Sequence, residues 1–307
     1  MLSSPERSSL VAEAERVIRE GSKSFRFSSN LFDQTIRERA WLLYSWCRAC
    51  DDLADGQTLG HGAVAPEDPE RRIAFIRETT DRALAGEQVG LAPFDALRIV
   101  SAECGIPRRF VDDHLDGFAL DADGWRPQGE NDLLRYCYHV AGAVGCMMAI
   151  VMGVSPDEEE TLDRAADLGV AFQLANIARD IVEDHGVGRL YLPAAWLGAG
   201  GMEPGDRAAL AVIAERLAAL VADYEASARI GAARLPFRSR WAVLAAANIY
   251  GAIARKVVAR GEGAWDSRTV VHKPAKLAFV VKALAQCADH PTVTERNGLW
   301  TRPHRPA

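Results

Sequence analysis

Two acidic clusters in this chain of 307 residues have side chains and spacings suited to binding a metal cation. The first cluster lies on a predicted helix, because no residue between Gly169 and the last of its aspartates breaks a helix. Its polar members follow at steps of three, four and four and so share one side of that helix: Gln173, Asn176, Asp180 and Asp184. Apolar residues border the stripe, and carboxylates four residues apart repel each other by roughly 0.2–0.5 kcal/mol. A cation between the carboxylates would offset that repulsion.

The second cluster lies at the end of an earlier predicted helix, residues 33–55. Its members follow at steps of four, three and four: Tyr44, Arg48, Asp51 and Asp55. Asp52 lies one position around the same helix. Carboxylates at a helix C-terminus oppose the helix macrodipole, so three of them there destabilise the helix unless a metal or strong donors meet them. The cluster therefore indicates a site rather than an ordinary helix end.

Together the two clusters fit one chemical task. Proteins usually hold Mg²⁺ by one or two carboxylates together with substrate phosphates, so facing aspartate clusters suit several Mg²⁺ ions on a diphosphate. Arginine and lysine side chains then take up the charge that develops on the leaving group. The apolar and aromatic remainder suits a hydrocarbon chain and a carbocation. These residue types predict ionisation of an allylic diphosphate inside a helical bundle.

The elements that must position these residues are helices throughout. Alanine is abundant and alternating β-branched stretches are scarce, which predicts an all-α fold. We expect a single domain over residues 1–307, with a core at about 21–290 and frayed termini, including the tail from Pro291 onward. The predicted helices cover residues 6–20, 33–55, 70–85, 93–104, 107–120, 132–153, 168–184, 204–233, 238–260 and 274–288. The predicted loops cover residues 21–27, 56–69, 185–193 and 265–273.

Two further patterns allow two interpretations each. One pattern is either another metal cluster, made of Asp112, Asp113, His114 and Asp116 followed by Asp121 and Asp123, or a solvated helix face formed by Asp112, Asp113 and Asp116. Gly142 and Gly145 place small residues on the surface of an apolar helix, where either another helix packs closely or a long apolar ligand lies.

Composition narrows the class of protein. The net charge of −6 and the absence of a basic stripe speak against a nucleic-acid partner. Uninterrupted apolar runs of about 18 residues are missing, and the N-terminus carries no apolar signal region, so we expect neither a membrane span nor secretion. A cytoplasmic location follows, with the six cysteines reduced. Cys47 and Cys50 form a Cys-x-x-Cys, but without a second ligand pair we interpret them as buried small hydrophobic residues.

Three long motifs resemble, in the same order, those of the squalene/phytoene synthase family. They are Tyr44-x-x-x-Arg48-x-x-Asp51-Asp52-x-x-Asp55, Tyr136-Cys137-Tyr138-x-Val140-Ala141-Gly142-x-Val144-Gly145 and Gln173-x-x-Asn176-x-x-Arg179-Asp180-x-x-x-Asp184. The segments Ser22-Lys23-Ser24-Phe25 and Gly188-Arg189-Leu190-Tyr191-Leu192-Pro193 match too. The resemblance spans roughly residues 21–290, and within the family it is greatest to bacterial phytoene synthases.

The resemblance implies the isoprenoid synthase fold, a helical bundle around a central apolar cavity, and head-to-head (1'-1) condensation of two prenyl diphosphates. For phytoene synthases it implies that two geranylgeranyl diphosphates react through prephytoene diphosphate to phytoene, the first committed step of carotenoid biosynthesis. It implies Mg²⁺ as cofactor, with Mn²⁺ as a substitute, and no NADPH. We also expect peripheral association with the inner membrane for product release, and contact with a downstream carotenoid desaturase.

The same resemblance assigns roles to individual residues. The implied metal ligands are Asp51, Asp55, Asp180 and Asp184, with Asp52 either a ligand or a neighbour that positions one. Arg48 and Tyr44 join these four ligands as catalytic residues. The remaining substrate-binding residues hold diphosphate or line the substrate channel: Ser22, Phe25, Tyr136, Gln173, Asn176, Arg179, Arg189, Tyr191, Tyr250 and Arg268.

Three other functions compete. A C15-using enzyme would make dehydrosqualene or hydroxysqualene by the same chemistry. A non-catalytic scaffold homologue has no physical reason to maintain two repelling acidic clusters. A di-iron carboxylate bundle requires Glu-x-x-His on two helices, and the sequence has none.

Overall fold

The computed structural model describes residues 4–21, 23–55, 68–198, 200–289 and 291–303. These residues form helices and no strand, which confirms the predicted all-α class. The α-helices among them are α1 (Ser4–Gly21), α2 (Lys23–Ser29), α3 (Gln34–Ala54), α4 (Pro69–Leu84), α5 (Ala92–Cys104), α6 (Arg108–Ala122), α7 (Glu130–Cys137), α8 (Ala143–Val151), α9 (Glu159–Gly186), α10 (Arg207–Ala232), α11 (Phe237–Arg260) and α12 (Lys273–Gln286).

Local capping explains where several helices begin. The Asp33 side chain accepts a hydrogen bond from the backbone N–H of Ile36 at 3.0 Å, so α3 begins at the next residue. Asp68 caps α4 in the same way, and Pro69 takes the first helical position, where a missing N–H costs nothing. The Asp206 side chain caps α10. Apolar faces of α1 and of α3 to α11 then pack into a shared hydrophobic core, while α2 and α12 pack against smaller apolar clusters.

Helix α9 runs through the bundle and packs against α7, α8, α10 and α11. It begins at Glu159, earlier than the sequence predicted, with Gly169 in its interior. A Cβ on Gly169 would lie 2.2 Å from the carbonyl oxygen of Ala141, so the glycine marks close approach of two backbones rather than a helix start. Gly145 meets the carbonyl oxygen of Ala165 equally closely. Close packing of another helix, one of the two predicted alternatives, is therefore observed at these small residues.

The predicted loop at residues 21–27 is wrong for the part that the structure describes, because residues from Lys23 form helix α2. The Phe25 ring packs against Tyr44 of α3, with ring centroids 5.5 Å apart, and the Ser28 hydroxyl donates to the carbonyl of Phe25. Tertiary packing of aromatic side chains thus fixes a segment whose local composition suggested a loop. Ser22 lies outside the described residues.

The helix predicted at residues 132–153 is interrupted. Between α7 and α8, Tyr138–Gly142 form a π-helical turn. This turn packs on α6, where the His139 ring nitrogen Nδ1 lies 2.7 Å from the carbonyl oxygen of Asp113, and the His114 Nδ1 lies 3.2 Å from the carbonyl oxygen of His139. Such single π turns within α-helices are frequent at functional sites. Sequence periodicity could not reveal the turn, because its contacts come from another helix.

The C-terminal segment does not fray over residues 291–303. Arg296 forms an ion pair with Asp167 at 2.6 Å, and Arg302 forms one with Asp163 at 2.8 Å. Both aspartates belong to α9, and the Arg302 side chain is only 1% exposed. The expectation of a loose tail is wrong here because long-range ion pairs, which local composition cannot reveal, anchor the segment.

Two segments, Glu130–Val151 and Phe237–Trp265, are long and apolar enough to cross a membrane. Buried residues make up 67% and 61% of their most apolar stretches, as expected for core helices of a bundle. Of the cysteine pair, Cys50 is buried, as predicted, whereas Cys47 is half-buried, and burial raises the pKa of both thiols above the ordinary value.

Candidate active site

The bundle forms a cavity of about 580 Å³ between α2, α3 and α6 to α11. Its lining is divided along its length. Carboxylate and guanidinium groups gather at one end, which we call the acidic mouth: Arg48, Asp51, Asp121, Arg179, Asp180, Asp184 and Arg189. Most of the remaining lining is aliphatic or aromatic. The cavity therefore combines a site for a charged head with space for an apolar chain.

The C-terminal end of α3 supplies one side of the acidic mouth. Burial and the neighbouring Asp55 carboxylate raise the pKa of Asp51 to about 6. Arg48 pairs with Asp51 at 3.3 Å and with Asp52 at 2.6 Å. Asp52 is thus engaged by an arginine of its own helix, which fits a positioning role as well as a ligand role.

The C-terminal half of α9 supplies the other side. Burial and the neighbouring Asp180 carboxylate raise the pKa of Asp184 to about 6. Arg179 makes two hydrogen bonds to Asp180, and Arg268 pairs with Asp180 at 3.1 Å and also with Glu183. The predicted pair of carboxylates therefore lies on one face, and in the part of the chain that the structure describes arginines form ion pairs with Asp180 but not with Asp184.

Arg189 connects the two sides. It pairs with Asp55 at the end of α3. Its positive charge also acts on both Asp51 and Asp184, where it partly offsets the rise in pKa that burial and the neighbouring carboxylates cause. Both aspartates also line the same cavity, so the two clusters predicted from separate motifs form one site. The tight turn after α9 positions Arg189, since the Arg189 backbone N–H donates to the carbonyl of Asp184 at 2.9 Å.

The donor set of the acidic mouth fits Mg²⁺. It offers several carboxylate oxygens, the ligand type that hard divalent cations prefer, and it lacks cysteine sulfur apart from the raised-pKa thiol of Cys47. The like-charge neighbours that raise the pKa values of Asp51 and Asp184 are the groups whose repulsion a divalent cation would relieve. Asp51, Asp55, Asp180 and Asp184 are the carboxylates that could hold a divalent cation here.

Most of the predicted site residues line this cavity. Those that do are Phe25, Tyr44, Arg48, Asp51, Tyr136, Gln173, Asn176, Arg179, Asp180, Asp184, Arg189, Tyr191 and Tyr250. Asp52, Asp55 and Arg268 lie at its rim through their pairs with lining residues. Ser22 is not among the described residues.

Asp121, at the end of α6, is a lining residue that was not singled out for this site. The hydroxyls of Tyr136 and Tyr191 donate to its carboxylate at 2.9 and 3.1 Å, and burial raises its pKa. The charges of Arg189 and Asp55 also act on it, which places it at the acidic mouth. The macrodipole argument applied to Asp51 applies equally to Asp121 and could have found it.

Asp113, Asp116 and His139 offer ligand atoms within 4.8 Å of one another. None of the three lines the cavity. Tyr138 donates to Asp113, Arg77 pairs with Asp116 at 2.8 Å, and the His139 ring contacts the α6 backbone. Partners from the protein itself engage this group, which supports a structural interpretation.

Aromatic rings flank the passage from the acidic mouth to the apolar part. Phe25 packs against Tyr44, and Phe172 stacks on Tyr250 with ring centroids 4.0 Å apart. Tyr136 stacks between Trp125 and Tyr191. Aromatic faces attract cations, so these pairs are suited to a carbocation that forms beside the acidic mouth.

Comparison with known proteins agrees with this arrangement. Residues 18–276 match the squalene/phytoene synthase family. A phytoene synthase of Pseudescherichia vulneris is 45% identical over 96% of this chain and 98% of its own length. A 15-cis-phytoene synthase of Pantoea ananas is 44% identical over 96% and 98%. The crystal structure of a dehydrosqualene synthase in complex with ligand shares the fold, with a TM-score of 0.81 at 24% identity over 92% of this chain and 97% of that chain. The chain belongs to the squalene/phytoene synthase family.

Proposed function

We propose that this protein is a prenyltransferase that condenses two geranylgeranyl diphosphates head to head (1'-1) into phytoene, through prephytoene diphosphate. The observation that carries the proposal is a single cavity with two facing aspartate clusters at its mouth and a long apolar interior. Identity of 44–45% to phytoene synthases over 96% of the chain supports the C20 substrate. In the first step one C1–O bond breaks, the C1 carbon bonds to both carbons of the second substrate's allylic double bond, and one diphosphate and one proton leave. In the second step the C1–O bond of prephytoene diphosphate breaks, the cation rearranges so that the two C1 carbons are joined, and the second diphosphate and a second proton leave.

The arginines of the acidic mouth bind the diphosphate oxygens. Arg48, Arg179 and Arg189 line the cavity beside the aspartates, and their planar guanidinium groups suit bidentate binding of phosphate. Asp51, Asp55, Asp180 and Asp184 would hold Mg²⁺. When bound, Mg²⁺ neutralises diphosphate and stabilises the charge that develops on it as a leaving group. Arg268 lies at the rim and takes part through its pair with Asp180.

The aromatic residues stabilise the allylic cation and exclude water. Tyr44 is well placed, because its ring packs against Phe25 beside the acidic mouth, and burial raises the pKa of its hydroxyl to about 12, so it stays neutral. Phe172 of α9 and Tyr250 of α11 provide a second aromatic pair in the cavity lining. A dry, aromatic-lined cavity favours loss of a proton over capture of the cation by water.

The direct test is incubation of purified protein with Mg²⁺ and either geranylgeranyl or farnesyl diphosphate, without NADPH, followed by chromatography of a hexane extract. We expect a C40 hydrocarbon with a three-double-bond chromophore from the C20 substrate. EDTA should prevent its formation.

Other products would change the proposal in defined ways. A C30 hydrocarbon or alcohol from farnesyl diphosphate, with no C40 product, would keep the chemistry and overturn the C20 assignment. No product from either substrate, with EDTA and Mg²⁺ indistinguishable, would favour a non-catalytic scaffold.

We also propose that α12 rests on the surface of the inner membrane when the hydrocarbon leaves. Leu277, Val281 and Leu284 lie on one face of α12 and are 60%, 61% and 43% exposed. The helix carries three lysines and no carboxylate. An exposed apolar face with basic residues is typical of helices that bind anionic lipid surfaces.

Cosedimentation with vesicles of anionic lipid tests this. The native protein should pellet with the vesicles, and a Leu277→Ser, Val281→Ser, Leu284→Ser variant should stay in the supernatant with unchanged activity on detergent-solubilised substrate. Equal sedimentation of both proteins would contradict the role of α12.

A further inference from the structure

The cavity follows α9 over most of the length of that helix. Lining residues recur on one face from Thr161 near its start to Asp184 near its end. The lining residues of α9 are Thr161, Arg164, Ala165, Leu168, Gly169, Phe172, Gln173, Asn176, Ile177, Arg179, Asp180 and Asp184. Because the acidic mouth lies at the C-terminal end, Thr161 and Arg164 mark the opposite, deep end.

Helix geometry turns this stripe into a length. Arg164 and Asp180 are 16 positions apart, and at a rise of about 1.5 Å per residue they are about 24 Å apart along the helix. An extended prenyl chain advances about 5 Å per isoprene unit, since each unit adds four carbon–carbon bonds of about 1.3–1.5 Å. A C20 chain with its C1 carbon at the acidic mouth thus extends about 20 Å and ends just before Arg164. A C15 chain stops a unit short, and a C25 chain reaches the guanidinium.

Arg164 is a buried charge at the end of an apolar cavity, 2% exposed. Its Nη1 donates to the Ser227 hydroxyl at 3.2 Å, and its Nη2 donates to the carbonyl of Thr294 in the C-terminal segment at 2.7 Å. Its aliphatic stem lies against Gly231 of α10, where a Cβ would come within 2.6 Å of the Arg164 Cβ. α10 and the C-terminal segment together hold the side chain in place.

A second, polar crevice of about 360 Å³ lies behind Arg164. Arg164 lines both spaces, and the crevice is otherwise bounded by α10 and residues 294–299. A hydrocarbon that displaced the guanidinium would leave buried donors and acceptors without partners, which is far costlier than ordinary apolar contact. Arg164 therefore separates the apolar cavity from the polar crevice.

We propose that Arg164, fixed by Ser227 and by the C-terminal segment, is the end wall of the prenyl channel and sets its upper limit at C20. This inference rests on the proposed function and adds a specificity-determining residue far from the acidic mouth. It also assigns a role to the anchored C-terminal segment, which closes the deep end of the channel through Thr294.

Competition among three substrates tests the end wall. Purified full-length protein is incubated with Mg²⁺ and equimolar pairs of substrates, farnesyl with geranylgeranyl diphosphate (C15 with C20) and geranylgeranyl with geranylfarnesyl diphosphate (C20 with C25), so that each product's carbon number identifies its substrates. Arg164→Ala should raise the ratio of C25-derived products to the C40 product about tenfold or more, the discrimination typical of pockets that admit or reject a few methylene groups. Arg164→Lys, which keeps the stem and the charge, should retain the native ratio.

Two further variants distinguish an end wall at Arg164 from a general loosening of the protein near that end of α9. Arg234 pairs with Glu160 and contacts Thr161 near the same end of α9, but it does not line the cavity. Arg234→Ala should leave the product ratio unchanged. Ala228→Leu, which adds volume to the cavity lining of α10, should shift the ratio toward C30 without any change to Arg164.

The outcomes distinguish this inference from the proposed function. No product from any of the three substrates would overturn the proposed function itself. Products formed with an unchanged length ratio in Arg164→Ala, or an equal shift in Arg234→Ala, would overturn the end wall. If Arg164→Ala does not fold, an unchanged ratio in Ala228→Leu would overturn it as well.

Discussion

The two ends of α9 carry the same acidic spacing and use it differently. Near its start, Asp163 and Asp167 are four residues apart, as Asp180 and Asp184 are near its end. The first pair is buried and meets two arginines of the C-terminal segment, which themselves are nearly buried. The second pair faces the cavity, and among the residues described no arginine or lysine forms an ion pair with Asp184.

This difference teaches that spacing alone does not mark a metal site. The pair at the acidic mouth differs in two ways: arginine side chains do not neutralise all of its negative charge, and it faces a cavity. At the deep end the chain neutralises its carboxylates itself, so they serve stability. At the mouth it leaves carboxylate charge available for a cation that arrives with the substrate.

Substitutions at the mouth should have the largest effect on activity. Asp51→Ala or Asp180→Ala should lower kcat/KM by about 10³-fold or more, because the residues that hold the metal and the leaving diphosphate are lost. Far-ultraviolet circular dichroism should show unchanged helical content. Survival of activity in either variant at ordinary Mg²⁺ concentrations would refute the assignment.

A substitution at the deep end should instead affect stability. Asp167→Ala removes both short hydrogen bonds that the nearly buried Arg296 donates to a carboxylate, leaving it a 3.6 Å pair with Asp163, and should lower the free energy of unfolding by about 2–4 kcal/mol in urea titrations. Asp184→Ala is the matched control at the other end and should change it by less than about 1 kcal/mol. Equal losses from both substitutions would mean that the two ends do not differ as described.

Asp121→Asn should have an intermediate effect. The carboxylate accepts hydrogen bonds from Tyr136 and Tyr191, so the amide loosens two lining tyrosines without removing a carboxylate from either aspartate cluster. We expect kcat to fall about 10- to 100-fold, the range typical of residues that orient a site. The Mg²⁺ concentration for half-maximal activity should stay near that of the native protein, whereas a large increase would place Asp121 among the metal ligands.

The smallest expected effect is a pH-dependent change in the thermal stability of the metal-free protein. The pKa values of Asp51 and Asp184 are about 6 in the folded state, against the ordinary value of 3.8. The folded state therefore binds more protons than the unfolded state between these values, and this contribution to stability is lost as the pH rises through 6. In EDTA, Tm should fall by about 2 °C between pH 4.5 and 7 relative to an Asp51→Asn, Asp184→Asn variant. Equal pH dependence of both proteins would contradict the raised pKa values.

The sequence predicted the helices and most of the acidic mouth, because both rest on local patterns. Residues four apart on a helix share a face wherever the helix lies, so Asp180 and Asp184 could be assigned from spacing. The exact start of α9 could not, since Gly169 looked like a helix boundary and instead serves contact with Ala141.

Long-range partners explain what was missed. The tail was expected to fray because no local pattern ties Arg296 to Asp167, which lies 129 residues away. For the same reason nothing in the sequence singled out Arg164, whose position depends on α10 and the C-terminal segment. Asp121 is different, because its place at a helix C-terminus was a local signal that could have been used.

The most direct test of the contrast along α9 is calorimetric titration of Mg²⁺ into the protein in the presence of inorganic diphosphate. The native protein should bind Mg²⁺, and an Asp180→Asn, Asp184→Asn variant should lose that binding. An Arg234→Ala variant, whose altered side chain lies against the deep end of α9, should retain it. Undiminished binding in the doubly substituted protein would show that the mouth carboxylates are not the metal site.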